Sequence, residues 1–393
     1  MFSTRKFLIG NVLYAIFNTS LIYAVLTPYI RSKGIDPLQL STMQTAESAV
    51  WFMFMYISGI IFDRFGAKLS FLLGRIIDLI SIVFLLNPTF FNLLIFYVLL
   101  GISKGSIYGK YESYMYNYLS SQNKLHLYAK VASVYYFCWD IAFSIMAFLA
   151  SIILKHHDYQ ILIYITICVK VVALCSIIFF VPNTKNSKLQ EFKNESIKQI
   201  FRQLYNNIKN SKEFVYLLFF YGLINFFTYP LCLVIGDMVL VDMGCTGQQI
   251  ANYTSAFMAC MAIGTFIPIF LCKQCLTVKK CLYISFLQIV LLLISAIIYN
   301  KVLFIVSAMI IIIPFTLIEV SVEKHFEYYS SKKIRGSAIS FSISICTLMR
   351  MFNVMLIGLI AKYCSYYVGL LCVIVPIVIV LLWLIYALRN TTN

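Results

Sequence analysis

The chain has 393 residues, 61% of them hydrophobic and only 12% charged, about half the charged share of a soluble domain. With so few ionic side chains it has no means of coating a water-facing surface, which excludes a soluble enzyme, a nucleic-acid binder and a disordered tail. The formal charge of +16 therefore calls for basic loops beside a bilayer rather than a phosphate-backbone partner.

A helix needs about 20 apolar residues to cross the hydrocarbon core. Such segments recur at 7–30, 40–62, 70–88, 92–114, 131–153 and 161–181, and again at 214–237, 249–271, 280–299, 302–323, 337–359 and 366–388. The first follows a short basic stretch, but it is too long for a signal peptide and no small-residue cleavage pattern follows it. The expectation is an all-α membrane protein of twelve spans: an N-terminal six-helix bundle (1–181), a polar linker (182–213) and a C-terminal six-helix bundle (214–393). Within the linker, 195–209 reads either as a basic helix lying on anionic lipid or as a solvated connection.

Alternate loops differ in charge. One side collects Arg5, Lys6, Arg64, Lys68, Lys124, Lys130, the linker cations, Lys273, Lys279, Lys280, Lys332, Lys333, Arg335 and Arg389, against only Arg31, Lys33, Lys155, Lys301 and Lys362 on the other. The positive-inside rule puts both termini and the linker in the cytoplasm. The halves also echo one another. Tyr14-x-x-x-Asn18 leads out to Gly34, Gln39 and Leu40, and Tyr221-x-x-x-Asn225 leads out to Gly244, Gln249 and Ile250, as in a duplicated six-helix unit.

The loop after the second span reads Gly59-Ile-Ile-Phe-Asp63-Arg64-Phe-Gly66-Ala67-Lys68. It resembles the signature of the major facilitator superfamily, at the loop where that family keeps it. Gly59 lets helices approach, Gly66 permits a tight turn, and Asp63 and Arg64 can bind helix ends and each other as a cytoplasmic gate. Glu112-Ser-Tyr-Met-Tyr-Asn117 and Arg335-Gly336-Ser337 are similar to further patterns of a bacterial branch of that family. The resemblance implies alternating access between two six-helix bundles around a central cavity. This sequence departs from it in several places: Met55, Ile57 and Ser58 replace an acidic pattern, Ala67 replaces a basic residue and weakens a charge relay to Glu112, and 272–280 lacks the Asp-Arg-x-Gly core.

Ionisable residues inside spans need partners or a wet cavity. Lys104 and Asp140 share a depth, so they read as a pair in a cavity wall, with Asp140 as a proton- or substrate-sensitive carboxylate, or as a purely structural ion pair. Glu47 and Arg350 share a depth on spans expected to meet between the halves, which suggests an outer gate. Arg75 and Asp78 read as a local pair on a peripheral span, with Lys170 snorkelling or binding a neighbour such as Asp78. Glu319 with Glu323 suggests either an entry point for protons or cations or a solvated helix end. Asn18, Tyr14, Asn225 and Tyr229 lie on spans expected to line the cavity and can bond a polar solute, and Pro230 and Pro314 suggest kinks. Cys272-x-x-Cys275 with Cys281 lacks a fourth ligand, so no metal site is read there.

No Gly-x-x-x-x-Gly-Lys-Ser/Thr loop occurs, so ATP is not the direct energy source. The expectation is a monomeric secondary transporter without cofactor in a bacterial cytoplasmic membrane. It takes a small organic or amphipathic solute, is driven by protons, and by family analogy exports it, with uptake as the alternative. A membrane-embedded lipid-modifying enzyme would need a convergent His, Asp or Glu site at one membrane face, and a transporter-like receptor would need some part to carry its signal.

Overall fold

The computed structural model describes residues 4–107, 110–124, 127–181, 215, 219–220, 222–223, 235–271, 278–329 and 335–390. Asn225, Tyr229, Pro230, the linker and Cys272-x-x-Cys275 lie outside the described residues, as do the side chains of Asp63, Arg64, Glu112, Glu319 and Glu323. The described elements are helical. Eight of them are long and apolar enough to cross a membrane, among them Tyr159–Phe180 and Tyr366–Tyr386. Large apolar side chains such as Phe179, Leu287 and Ile379 stand exposed on their outer faces, a surface that only lipid covers at no cost.

In the N-terminal bundle these elements are α1 (Thr4–Asn18), α2 (Leu26–Ser32), α3 (Pro37–Phe65), α4 (Ala67–Val83), α5 (Phe90–Ile107), α6 (Lys110–Ser121), α7 (Tyr128–Leu154) and α8 (Tyr159–Phe180). In the C-terminal bundle they are α9 (Gly236–Asp242), α10 (Gly247–Leu271), α11 (Val278–Ile297), α12 (Lys301–Tyr329), α13 (Arg335–Tyr363) and α14 (Tyr366–Asn390). Two seams join the bundles, α3 against α13 and α7 against α10.

The first span is broken. After α1 the helix stops at Asn18, and a 3₁₀ turn over Ile22–Val25 leads into α2. Backbone groups freed inside a membrane must find partners within the protein, and α8 supplies them. Thr166 Oγ1 accepts from the Ile22 amide at 3.3 Å and Lys170 Nζ donates to the Asn18 carbonyl at 3.0 Å. Thr166 and Lys170 are one helical turn apart and so share a face.

The repeated motifs fold alike. Gly34 and Gly244 take φ of +79° and +75°, a region open to glycine, and each precedes a reciprocal cap. Asp36 accepts from the Gln39 amide at 2.8 Å while Gln39 Oε1 accepts from the Asp36 amide at 3.1 Å. Thr246 and Gln249 repeat this at 3.3 and 3.0 Å, and Leu40 and Ile250 are both fully buried. These turns lie at one end of the bundles, the Gly34 end. At the opposite end Gly66, with φ +90°, makes the tight turn expected of it between α3 and α4.

Candidate functional site

Between the bundles lies a cavity of about 120 Å³ lined from both. The broken first span contributes Asn18, Thr19, Ser20, Tyr23 and Thr27, and the other bundle contributes Asp237, Thr254 and Arg350. The cavity carries two clusters of buried charge.

The first cluster is centred on Glu47 of α3. Lys104 Nζ of α5 donates to its Oε1 at 2.6 Å, and Arg350 Nη2 of α13 to its Oε2 at 3.0 Å. Trp51, one turn along α3, presents its ring to both cations, at 5.9 and 6.0 Å from the centroid. The expected Glu47–Arg350 contact across the halves is therefore present, and Lys104 joins it. The expected Lys104–Asp140 pair is not formed. Gly101 and Gly105 seat α5 directly on the α3 backbone and turn Lys104 toward Glu47, whereas Asp140 faces the α7–α10 seam and accepts from Thr265 Oγ1 at 3.1 Å.

The glycines make this approach possible. A Cβ at Gly101 would stand 2.6 Å from the Glu47 carbonyl oxygen, and one at Gly105 3.0 Å from Phe54 Cβ. Gly101→Val is thus expected to push α5 off α3 at about 1–3 kcal/mol, read as a lowered Tm of the purified protein. An unchanged Tm would mean that the two helices part freely.

Asp78 of α4 centres the second cluster. It accepts from Arg75 Nη1 and Lys170 Nζ, both at 2.9 Å, and from the Tyr23 hydroxyl at 2.8 Å. The local Arg75–Asp78 pair is present and Lys170 binds Asp78, but the group is not peripheral: all three line the cavity. Tyr14 stands one layer behind, not in the wall. It is 1% exposed, accepts from Arg75 Nη2 at 2.9 Å and stacks on Tyr111. Asn18 does line the cavity, with its carbonyl occupied by Lys170. At the Gly66 end, Lys68 Nζ donates to the Ile178 carbonyl at 2.7 Å, tying α4 to the end of α8 in its own bundle.

Among the charged lining residues, one was not singled out by the sequence. Asp237 on α9 is 7% exposed, and its Oδ1 has no hydrogen-bond partner among the described residues. It stands at the last position of the expected seventh span, where a carboxylate reads as a boundary. The repeat offered a signal: Asp237 precedes Gly244 by the same interval as Thr27 precedes Gly34, and both line the cavity.

The Gly34 end is closed across the bundles. The Tyr366 hydroxyl donates to the Pro37 carbonyl at 3.3 Å, Thr45 Oγ1 to the Met351 carbonyl at 3.5 Å, and Thr254 Oγ1 to the Ala24 carbonyl at 3.4 Å.

Comparison with known proteins matches residues 7–329 to the Major Facilitator Superfamily. An uncharacterized transporter of Buchnera aphidicola subsp. Acyrthosiphon pisum (strain APS) is 24% identical over 291 residues, covering 72% of this chain and 70% of the relative. A mutant of the nucleoside transporter NupG superposes with a TM-score of 0.73 at 14% identity, over 97% of this chain and 99% of the other. A D-xylose-proton symporter does so with a TM-score of 0.70 at 12% identity, over 96% of each chain.

Proposed function

Because the chain belongs to the Major Facilitator Superfamily, a family of transporters and not enzymes, we propose that it is a proton-coupled secondary transporter. It moves a small organic solute across a bacterial cytoplasmic membrane by alternating access. In this reading residues 1–181 and 214–393 are the moving bundles, 182–213 is their linker, and both termini and the Gly66 end face the cytoplasm, as the basic loops require. The Gly34 end then faces outward and is closed, and Glu47 with Arg350 forms part of the gate between the bundles.

The observation that carries the proposal is the cavity itself, lined from both bundles and holding Asp237, to which no cation is bonded among the described residues. A buried carboxylate in that position exchanges a proton with whichever side the cavity opens to, which ties the proton to the cycle. Asp140 fits this role less well, because it packs in a seam rather than in the cavity wall. The symporter among the structural neighbours agrees with proton coupling. Uptake, in which proton and solute occupy the cavity together, is the first reading. Efflux, suggested by family resemblance, is the second reading and requires the two to compete.

Metabolite profiling of cells and medium tests this. Cells making the intact protein are expected to redistribute at least one small solute, and the change should collapse with a protonophore and in Asp237→Asn. Identical profiles with and without the protein, at equal abundance in the membrane, would overturn the proposal.

A further inference from the structure

One helix bond is missing from the first span, and α8 holds both of its halves. In a continuous helix the Asn18 carbonyl accepts from the amide four residues on, which is that of Ile22. Here the Ile22 amide donates to Thr166 Oγ1 at 3.3 Å, and the Asn18 carbonyl accepts from Lys170 Nζ at 3.0 Å. With its natural partner replaced, neither group draws the helix closed. Lys170 is fixed in turn. Its ammonium also bonds Asp78 Oδ2 at 2.9 Å and lies 5.0 Å from the centroid of the Tyr23 ring, while the Tyr23 hydroxyl donates to Asp78 Oδ1 at 2.8 Å. Asp78 therefore anchors the residue before the gap, through Lys170, and a residue after it directly.

The break also frees a hydroxyl. Serines and threonines inside helices bond the carbonyl four residues back, as Thr42 does with Leu38, Ser48 with Gln44 and Ser106 with Ile102. For Ser20 that carbonyl belongs to Ile16. Thr19 has it instead, through its amide at 3.4 Å and its hydroxyl at 2.7 Å. Ser20 is 0% exposed, and its Oγ has no hydrogen-bond partner among the described residues. It lines the cavity together with Asn18, Thr19 and Tyr23. A buried hydroxyl without a partner calls for one, and the cavity is where that partner enters.

On the premise that the protein is the transporter proposed above, we infer that the break in its first span is a solute-binding element. Ser20 bonds a hydroxyl, carbonyl or amide of the solute, and Thr166 and Lys170 are its positioning residues. Broken helices bring polar groups to mid-membrane depth in secondary transporters. The α8 pair acts through the break: Thr166 is not among the described residues that line the cavity, and it reaches the solute site only by way of the Ile22 amide. If the pair lets go, Asn18 and Ile22 can satisfy each other and the helix closes. Closure withdraws Ser20, whose hydroxyl then competes for the Ile16 carbonyl.

Two measurements on the full-length protein test this. In proteoliposomes with an acid exterior, a defined mixture of sugars, polyols, nucleosides, amino acids, organic acids and amines is supplied. Any solute that cell profiling has shown to move is added, and the lumen is analysed by mass spectrometry. For a solute that the parent accumulates, Ser20→Ala is expected to raise the half-saturating concentration about threefold to tenfold, the effect of one hydrogen bond. Its maximal rate and Tm should stay as they were. Thr166→Val should raise the half-saturating concentration too, and Thr166→Ser should restore it. Thermal unfolding is the second measurement. Thr166→Val leaves the Ile22 amide unpaired and Lys170→Met the Asn18 carbonyl, while Asp78 keeps Arg75 and Tyr23. Each alone should lower Tm. Together they leave two groups that can bond each other, so the double variant should lose less Tm than the two single losses summed, yet bind the solute no better than Thr166→Val. A merely structural pair would regain both. Additive Tm losses would overturn the role given to α8, and parental half-saturation in Ser20→Ala or in the double variant would overturn the binding element. If the parent moves nothing here and nothing in cells, the transport reading fails and the solute contact with it, whereas the Tm cycle still decides whether α8 holds the break.

Discussion

Glu47→Ala is expected to destabilise the protein by about 3–5 kcal/mol, the usual result of removing one partner from a buried ion cluster. The loss is large because Glu47 serves two cations at once. Without it, Lys104 and Arg350 face each other across a seam with the charge that neutralised them gone, and the bond joining α3 to α13 goes too. Thermal unfolding of the purified protein measures the effect. The informative comparison is Glu47→Met with Lys104→Met and Arg350→Leu, which removes the whole cluster. Replacing a buried ion cluster by apolar side chains is often neutral or stabilising, so this variant should recover most of the lost Tm while transporting nothing. If Glu47→Ala unfolds at the parent's temperature, the two cations find other compensation and the cluster does not hold the seam.

The Asp78 cluster makes a useful contrast. Its members all come from the N-terminal bundle: Arg75 and Asp78 from α4, Lys170 from α8, and Tyr23 from the 3₁₀ turn. Relative movement of the bundles leaves it intact, whereas the Glu47–Arg350 bond must break if α3 and α13 separate at that depth. One cluster holds the broken first span in place, and the other reports on the gap between the bundles.

Depth along a span was legible in the sequence, and azimuth was not. Hydropathy places Lys104, Asp140, Glu47 and Arg350 at their levels, and for Glu47 and Arg350 level sufficed because their spans meet. Lys104 and Asp140 share a level but face different neighbours. That choice is made by Gly101 and Gly105, whose missing side chains bring α5 onto α3. The pattern Gly-x-x-x-Gly was visible, but which helix it would meet depends on tertiary packing. The Asp78 cluster was misplaced for the same reason: two charges three apart on one helix reveal a pair, not the side of the bundle on which it lies. The twin turns at Gly34 and Gly244 were the most legible feature, since a glycine followed by a reciprocal cap specifies its own geometry locally.

Gly358→Val is expected to stop transport by propping the Gly34 end open. A Cβ at Gly358 would lie 2.2 Å from Ser41 Cβ, 2.3 Å from Ser41 Oγ and 3.3 Å from the Pro37 carbonyl, and Ser41 is fully buried. No rotamer relieves a clash that begins at Cβ. Overpacking of this kind costs about 1–3 kcal/mol, and here the strain has an exit other than unfolding, because the bundles can part at this end. The strain then falls on the closed state alone and shifts the balance about 5–150-fold toward the open one. Thr45 lies on the same seam and bonds Met351 when it is closed. A Thr45→Cys reporter should therefore react faster with a membrane-impermeant thiol reagent added at that end, above the signal of the protein's own cysteines. The compensating pair Ser41→Gly with Gly358→Ala moves the methyl-sized side chain to the other helix and keeps the volume of the contact, so transport and the slow labelling should both return. If Gly358→Val labels like the parent and merely loses Tm, the α3–α13 contact is fixed packing and the closure at this end is not part of a transport cycle.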